Sequence, residues 1–178
     1  MTELTPGLEL GARFVLIRQL GSGGTSEVWL ANDATRGEQV ALKIFDQADP
    51  GLSTRLAVEL ARVQSLGTDH AVPIHDVLQA EDRSLVVMEY QQGGDFGQFR
   101  GRSFESWKQT ADDVIGALAA AHAQNLIHRD LKCSNVLLDA AGHARLSDFG
   151  LATLVGGPAP PGGSPYNASP QQLRGDPA

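Results

Sequence analysis

The stretch His128-Arg129-Asp130-Leu131-Lys132-Cys133-Ser134-Asn135 follows a segment with a helical apolar pattern, and Asp148-Phe149-Gly150 begins 18 residues after Asp130 (130 to 148). Asp130 is suited to accept a hydroxyl proton, and Lys132 can neutralise charge that develops on a phosphate. Asn135 and Asp148 offer the oxygen ligands that Mg²⁺ prefers. Either motif alone could arise by chance, but both in this order indicate phosphoryl-transfer chemistry.

A glycine-rich stretch, Gly21-Ser22-Gly23-Gly24-Thr25-Ser26-Glu27-Val28, lies between two predicted strands. Glycines let backbone N–H groups approach a phosphate closely, and a hairpin lets the loop close like a flap. Taken by itself, such a stretch is more often a simple hairpin turn. The chain contains no Gly-Lys-Ser/Thr tripeptide, so this is not a phosphate-binding loop of that type.

A lysine stands within an apolar strand in Val40-Ala41-Leu42-Lys43. Burying a lysine without an anion is unfavourable, so Lys43 is expected to meet a negative group. Glu59, in the following predicted helix, is a natural partner. The alternative is a lysine at the edge of the sheet whose ammonium group reaches solvent.

Two regions of different character follow each other, with a flexible joint at Gly93–Gly94. The first is mostly β, because β-branched and aromatic residues alternate or cluster between polar or Gly-rich turns. Its predicted strands are Arg13–Leu20, Glu27–Asn32, Gln39–Phe45, Ile74–Gln79 and Leu85–Tyr90, with one helix over Leu52–Leu66.

The second region is predicted to begin with a long helix, N-capped by Ser103 and extending to about Asn125. Residues at three- and four-residue spacing give this helix one apolar stripe, made of Phe104, Trp107, Ala111, Val114, Ile115, Leu118 and His122. Two short strands, Val136–Leu138 and Ala144–Leu146, are predicted next. The Gly- and Pro-rich stretch Gly156–Pro165 is predicted to be a mobile loop.

The composition restricts the class of protein and of partner. The chain has 178 residues, a formal net charge of −7 and a pI of about 5.1, which argues against a nucleic-acid or anionic-membrane binder. Its single cysteine, Cys133, excludes an internal disulfide framework. No signal-peptide pattern occurs at Met1 to Pro6, and no apolar run approaches the ~20 residues needed to span a bilayer. We therefore expect a cytoplasmic protein.

These motifs together resemble the eukaryotic-like serine/threonine protein kinases from Arg13 to about Gly175. The resemblance implies an α+β fold of two lobes, in which an antiparallel β-sheet with one helix precedes a helical lobe. It divides the chain into an N-terminal extension (1–12), an N-lobe (13–90) and a partial C-lobe (91–178). It further implies that the chain uses ATP and Mg²⁺ to phosphorylate Ser/Thr hydroxyls of a protein substrate.

The resemblance also implies roles for individual residues. Asp130 would accept or orient the hydroxyl proton, Lys132 would neutralise the γ-phosphate, and Asn135 and Asp148 would hold Mg²⁺. His128 would be structural rather than a base. The implied contacts to the phosphates of ATP are the Lys43 side chain, which Glu59 would orient, and the backbone amides of Gly21, Ser22, Gly23 and Gly24. Adenine would lie between Val28 and Ala41 on one side and Leu137 on the other, with Met88 as gatekeeper. The backbone of Glu89 to Gln91 would contact the adenine edge, and Asp95 would contact the ribose.

The chain departs from the family pattern near its end. Ser169-Pro170-Gln171 stands where the family usually has a small residue, Pro and Glu, and that Glu normally pairs with an arginine much later in the domain. Because the chain ends at Ala178, we expect a kinase domain truncated after its activation segment, with an incomplete helical C-lobe. Three hypotheses stay open: an active kinase core, a non-catalytic ATP-binding module, and a scaffold that forms a homodimer through uncovered apolar residues of the C-lobe.

Overall fold

The computed structural model describes residues 3–23, 26–45, 61, 64–149 and 167–174, and the backbone alone of residues 153–154. The chain forms two compact units, one of Met1–Leu60 with Pro73–Tyr90 and the other of Ala61–Val72 with Gln91–Ala178. Of the predicted helix Leu52–Leu66, residues 61 and 64–66 are helical, and the rest lies outside the described residues. Gly24, Glu59 and the loop Gly156–Pro165 also lie outside them.

The first unit contains a six-stranded antiparallel sheet in the order β1-β2-β3-β4-β6-β5. The strands are β1 (Glu9–Leu10), β2 (Phe14–Ser22), β3 (Ser26–Asp33), β4 (Glu38–Phe45), β5 (Ile74–Ala80) and β6 (Arg83–Glu89). The five predicted strands are confirmed, with ends that differ by at most two residues. The sequence did not predict β1, because a strand of two residues is too short to show a period.

One face of this sheet forms the hydrophobic core of the first unit. Side chains alternate between the two faces along each strand, so every second residue of the central strands is directed to this core. Leu10 of β1 is fully buried in it, which joins the segment before β2 to the same unit. The buried residues of the core are Leu10, Phe14, Leu16, Trp29, Ala31, Val40, Leu42, Ile44, Leu85 and Val87.

The second unit combines one main helix with two small antiparallel sheets. The helix is α1 (Lys108–Ala123), and a short helix α2 (Pro170–Arg174) lies near the end of the chain. The sheets pair β7 (Leu126–Ile127) with β10 (Thr153–Leu154), and β8 (Val136–Leu138) with β9 (Ala144–Leu146). The predictions of β8 and β9 are confirmed. In the described part of the chain, no helix has the length and apolar composition needed to cross a membrane.

Helix α1 begins at Lys108, so the prediction of a helix starting after Ser103 was wrong. Phe104–Ser106 form a separate 3₁₀ turn, and Trp107 leaves it with φ −129° and ψ 5°, which is not helical. The ring of Trp107 packs edge-on against that of Phe104, with centroids 4.8 Å apart. This aromatic contact accompanies the bend that separates the turn from the helix.

The buried face of α1 also differs from the predicted apolar stripe. Its buried residues are Thr110, Ala117 and Ala121, and the helix packs on β7 and β9. Ile115, a member of the predicted stripe, is 64% exposed. Small side chains allow a helix to approach its neighbours closely, and a pattern of large apolar residues does not reveal such a face.

Candidate active site

The second face of the six-stranded sheet carries four of the predicted nucleotide contacts. Val28 lies directly opposite Lys43, and Ala41 lies directly opposite Met88. Residues opposite each other on neighbouring strands share a face, as do residues two positions apart on one strand. Val28, Ala41, Lys43 and Met88 therefore stand together on the face opposite the ten-residue core, where Met88 also packs against a smaller apolar cluster around Val86.

Lys43 lies at the centre of this face. It belongs to β4, which pairs with β3 on one side and β6 on the other, so the alternative of an edge-strand lysine is excluded. The residue is half-buried, and its Nζ lies 5.5 Å from the ring centroid of Phe45, within the range of a cation–π contact. Its predicted partner Glu59 lies outside the described residues.

Strands β2 and β3 stay paired as far as the start of the Gly-rich loop. Gly21 lies opposite Val28, and Ser22 is the last residue of β2. Within the loop, the N–H of Gly23 donates to the carbonyl of Ser26 at 2.8 Å. The loop is thus a closed hairpin at its base, as the sequence predicted.

A carboxylate that the sequence analysis did not single out holds this base together. Glu27 Oε2 accepts hydrogen bonds from Gln19 Nε2 at 2.6 Å and from the indole Nε1 of Trp29 at 2.9 Å. Trp29 is buried in the core, so Glu27 ties the loop to the rigid part of the sheet. The signal available in the sequence was a glutamate two residues before a core tryptophan, which is too common a pattern to predict a role.

One hydrogen-bonding group of the Glu89 backbone is already paired within the first unit. Its N–H donates to the carbonyl of Pro73 at 2.9 Å. A contact between the Glu89 backbone and an adenine edge therefore has to use its carbonyl group. Gln91, the other predicted contact at this edge, is buried in the second unit.

In the second unit, Asp95 and Leu137 are brought side by side. The N–H of Gly93 donates to the carbonyl of Leu138, and the N–H of Leu138 donates to that of Gly94, each at 2.8 Å. This pairing continues as a bridge between Asp95 and Leu137. The two residues predicted to contact ribose and adenine thus belong to one local structure.

The carboxylate of Asp95 also stabilises the local backbone. Its Oδ1 accepts a hydrogen bond from the N–H of Gly97 at 2.7 Å and caps the 3₁₀ turn Phe96–Phe99. This cap fixes the orientation of the carboxylate.

The Asp130 loop, His128–Asn135, brings three predicted catalytic and metal-binding residues together. Asp130 is 9% exposed, and its Oδ2 accepts from Lys132 Nζ at 2.8 Å and from Asn135 Nδ2 at 3.1 Å. The same Asn135 amide also donates to the backbone carbonyl of Asp130 at 2.8 Å. The carboxylate is therefore held in one orientation by a cation and an amide.

The donor set of Asn135 and Asp148 fits a magnesium ion. Because Asn135 turns its amide nitrogen toward Asp130, its carbonyl oxygen Oδ1 is the group left for a hard cation. The backbone carbonyl of Asn135 accepts from the N–H of Ser147 at 2.9 Å, which anchors Asn135 beside the residue before Asp148. In the described ranges no group of three or more His, Cys, Asp and Glu could hold a metal. Mg²⁺ is commonly held by only one or two carboxylates together with phosphate oxygens and water.

His128, the first residue of the Asp130 loop, is buried and holds the backbone of the loop. Its Nδ1 accepts from the N–H of Asp130 at 3.3 Å, so its Nε2, 2.9 Å from the carbonyl of Ser147, carries the proton and donates. Its ring lies 4.6 Å from that of Phe149, which is fully buried. Burial lowers the pKa of His128 below its ordinary value, so the ring stays neutral at neutral pH. Both ring nitrogens are used, which agrees with the structural role expected from the sequence.

Two non-glycine residues of the site have left-handed backbone. Arg129 has φ 68° and Asp148 has φ 61°. This conformation is unfavourable for residues with a side chain and costs about 1–3 kcal/mol where surrounding contacts impose it. Each adjoins a buried residue of the site, Asp130 and Phe149, whose contacts hold the backbone in place.

A family model described as a protein kinase domain matches residues 14–176. The chain is 35% identical to CBL-interacting protein kinase 4 of Oryza sativa subsp. japonica, over 94% of this chain and 40% of that protein. It is 35% identical to CBL-interacting serine/threonine-protein kinase 1 of Arabidopsis thaliana, over 83% of this chain and 35% of that protein. It is 31% identical to serine/threonine-protein kinase PrkC of Bacillus subtilis (strain 168), over 95% of this chain and 28% of that protein. The chain thus spans at most about 40% of the length of these relatives. The chain belongs to the protein kinase family.

Proposed function

We propose that the chain transfers the γ-phosphate of ATP to the Ser or Thr hydroxyl of a protein substrate. The observation that carries this proposal is the hydrogen-bonded group of Asp130, Lys132 and Asn135. A carboxylate held in this way can orient an incoming hydroxyl and accept its proton as the oxygen bonds to phosphorus. Lys132 then neutralises negative charge on the transferred group. The relatives named as serine/threonine kinases support the same reaction.

Asn135 and Asp148 would hold Mg²⁺, which when bound supplies positive charge to the phosphates of ATP. Lys43 would contact the α- and β-phosphates, with Glu59 as its orienting partner. The shared sheet face of Val28, Ala41 and Lys43 supports this assignment. The other proposed ATP contacts are the backbone of Gly21, Ser22, Gly23 and Gly24, the side chains of Met88, Asp95 and Leu137, and the backbone of Glu89 and Gln91.

Transfer of radiolabelled γ-phosphate to a generic protein substrate such as casein tests this proposal. The wild-type chain is expected to label Ser and Thr in a Mg²⁺-dependent way. Asp130→Asn should lower the rate by about 10²–10⁴-fold, the usual contribution of a general base. The matched control is Asp112→Asn on the exposed side of α1, which should keep the wild-type rate. Absence of labelling by the wild type would contradict the proposal.

The assay also separates the proposal from a non-catalytic ATP-binding module. Such a module would bind Mg·ATP in a binding measurement and transfer no label.

The free Cys133 supports a reducing, cytoplasmic location, and the net charge of −7 supports a protein rather than a nucleic-acid partner.

Self-association is a second candidate, favoured by one observation. Phe104, which precedes helix α1, is 54% exposed, and Ile115, which belongs to the helix, is 64% exposed. Association that buries such exposed apolar side chains is favourable. Light scattering over a range of concentrations should then give a mass that rises above that of a monomer. A monomer at every concentration would contradict this second candidate.

A further inference from the structure

A glutamine of the short helix α2 contacts the backbone of the Asp130 loop. Gln172 Nε2 donates to the carbonyl oxygen of Arg129 at 2.7 Å, and the two residues are 43 positions apart in the sequence. A hydrogen bond this short between residues so distant ties two separate segments of the second unit together.

The Gln172 side chain is itself fixed at its other end. Its Oε1 accepts from the N–H of Ser169 at 3.1 Å, and its own N–H donates to Ser169 Oγ at 3.2 Å. These two reciprocal bonds form a capping box at the start of α2, with Pro170 at the first helical position. The amide of Gln172 is therefore held by its oxygen and presents its nitrogen to Arg129.

The bond acts on the peptide group that precedes the Asp130 side chain. The carbonyl of this group belongs to Arg129 and accepts from Gln172, while its N–H belongs to Asp130 and donates to His128 Nδ1. The peptide plane is thus held on both edges. Rotation of this plane would change ψ of Arg129 and φ of Asp130 and would turn the Asp130 carboxylate away. The two bonds thus hold a segment whose backbone is already strained, because Arg129 has an unfavourable φ of 68°.

We infer that Gln172 is a positioning residue for Asp130, which keeps the Arg129–Asp130 peptide group oriented for phosphoryl transfer. This inference rests on the proposed function. A glutamine suits the task because one side chain must accept from Ser169 and donate to Arg129 at the same time. A glutamate can take over the first bond but has no proton for the second.

Three variants separate positioning from helix stability. Gln172→Glu keeps the acceptor for Ser169 and removes the donor to Arg129, and Gln172→Met removes both at similar length. Ser169→Ala weakens the cap but leaves the Gln172 donor in place. Gln79→Glu, at an exposed position of β5, is the control for the added charge. The readouts are kcat, KM for ATP, and hydrogen–deuterium exchange of the peptide that covers the Asp130 loop.

Both Gln172 variants should lower kcat by about two- to ten-fold with little change in KM for ATP, as expected for one hydrogen bond that acts on Asp130. Deuterium uptake in the Asp130 loop should rise in both, while Ser169→Ala and Gln79→Glu keep wild-type values of kcat and uptake. Wild-type uptake in both Gln172 variants would overturn the inference, as would equal effects of Ser169→Ala. If the wild type itself transfers no phosphate, the proposed function fails, and uptake alone decides the role of Gln172.

Discussion

The ring of His128 donates to the carbonyl of Ser147 and accepts from the N–H of Asp130, and only a neutral imidazole can do both. Burial lowers the pKa of His128 in the folded chain below its ordinary value of 6.5. The unfolded chain therefore takes up the proton at a higher pH than the folded chain. As a result, the free energy of unfolding contributed by His128 is present above about pH 6.5 and falls as the pH drops through the folded-state pKa.

We expect the melting temperature of the wild type to fall between pH 7.5 and pH 5.5, and this fall to be smaller in His128→Gln. His75 contributes in the same direction, because burial also lowers its pKa, so His75→Gln serves as the comparison. Phosphoryl transfer should weaken over the same range as the Asp130 loop loses its support. An equal pH dependence of the melting temperature in the wild type and His128→Gln would show that the pKa of His128 is the same in the folded and unfolded chain, which contradicts the effect of burial.

The sequence predicted the residues of the Asp130 loop because they lie within one short stretch. Asp130, Lys132 and Asn135 are close in the chain, so any compact turn brings them together. Glu27 and Gln172 could not be predicted in this way. Their roles depend on strand register and on a contact across 43 positions, neither of which leaves a local pattern.

At the scale of elements, the pairing of Gly93–Asp95 with β8 requires a glycine. A Cβ on Gly93 would lie 2.5 Å from the carbonyl oxygen of Asp139 and 2.7 Å from the Cβ of Leu138. Because the Asp139 oxygen belongs to the backbone, one strand must move to admit a methyl group. Gly93→Ala should destabilise the fold by about 1–3 kcal/mol, the usual penalty of overpacking. It should also weaken ATP binding, because the proposed ATP contacts Asp95 and Leu137 share this pairing.

The matched control is Gly116→Ala in the interior of α1, where an added Cβ meets nothing within 4 Å. Alanine favours a helix over glycine by about 1 kcal/mol, so this variant should be more stable than the wild type. Urea unfolding measures both changes. Equal stability of the two variants would contradict the steric role of Gly93.

Helix α1 shows which properties of a helix could be predicted from the sequence and which could not. Its existence follows from the spacing of its apolar residues, but its start depends on the bend at Trp107, and Ser103 offers a side chain that makes no capping bond. Its buried face is set by Ala117 and Ala121, which approach the short strands of the second unit. Such a face becomes visible only when the packing partners are known.

At the scale of the whole first unit, Arg13, the residue before β2, is linked to two strands, β3 and β5, through two carboxylates. Its guanidinium binds Asp33 at the end of β3 through two bonds of 2.9 and 2.8 Å, and Asp76 on β5 at 2.7 Å. The Asp33 side chain is fully buried. Hydrogen bonds from Arg13 lower the pKa of Asp33, so this stabilisation is present above about pH 4 and is lost as the pH falls through the folded-state pKa.

Asp33→Asn should lower the free energy of unfolding at pH 7 by about 3 kcal/mol, because it removes one partner of a buried ion pair. The matched control Glu38→Gln breaks the exposed pair of Arg36 and Glu38 and should cost less than about 1 kcal/mol. Urea unfolding at pH 7 and at pH 3.5 provides the test. The difference between wild type and Asp33→Asn should shrink at the lower pH, and a difference that stays constant would contradict the assigned charge of Asp33.

Mg·ATP should stabilise the folded chain, because the proposed ligands Lys43, Asn135 and Asp148 take up their positions only on folding. A ligand at 100 times its Kd adds about 2.7 kcal/mol to the free energy of unfolding. For a chain of this size, that corresponds to a rise in melting temperature of roughly 5–10 °C. The shift should require Mg²⁺, because Asn135 and Asp148 would hold the ion and its charge would offset that of the ATP phosphates.

Lys43→Met should remove most of this shift, because the central cation of the sheet face is lost while the length of the side chain is kept. Lys108→Met, at the exposed first residue of α1, is the matched control and should keep the full shift. A scan of melting temperature with ATP, with Mg·ATP and with Mg²⁺ alone measures each contribution. An equal Mg·ATP shift in Lys43→Met and the wild type would exclude Lys43 as a phosphate ligand, because the nucleotide would then bind equally well without its ammonium group.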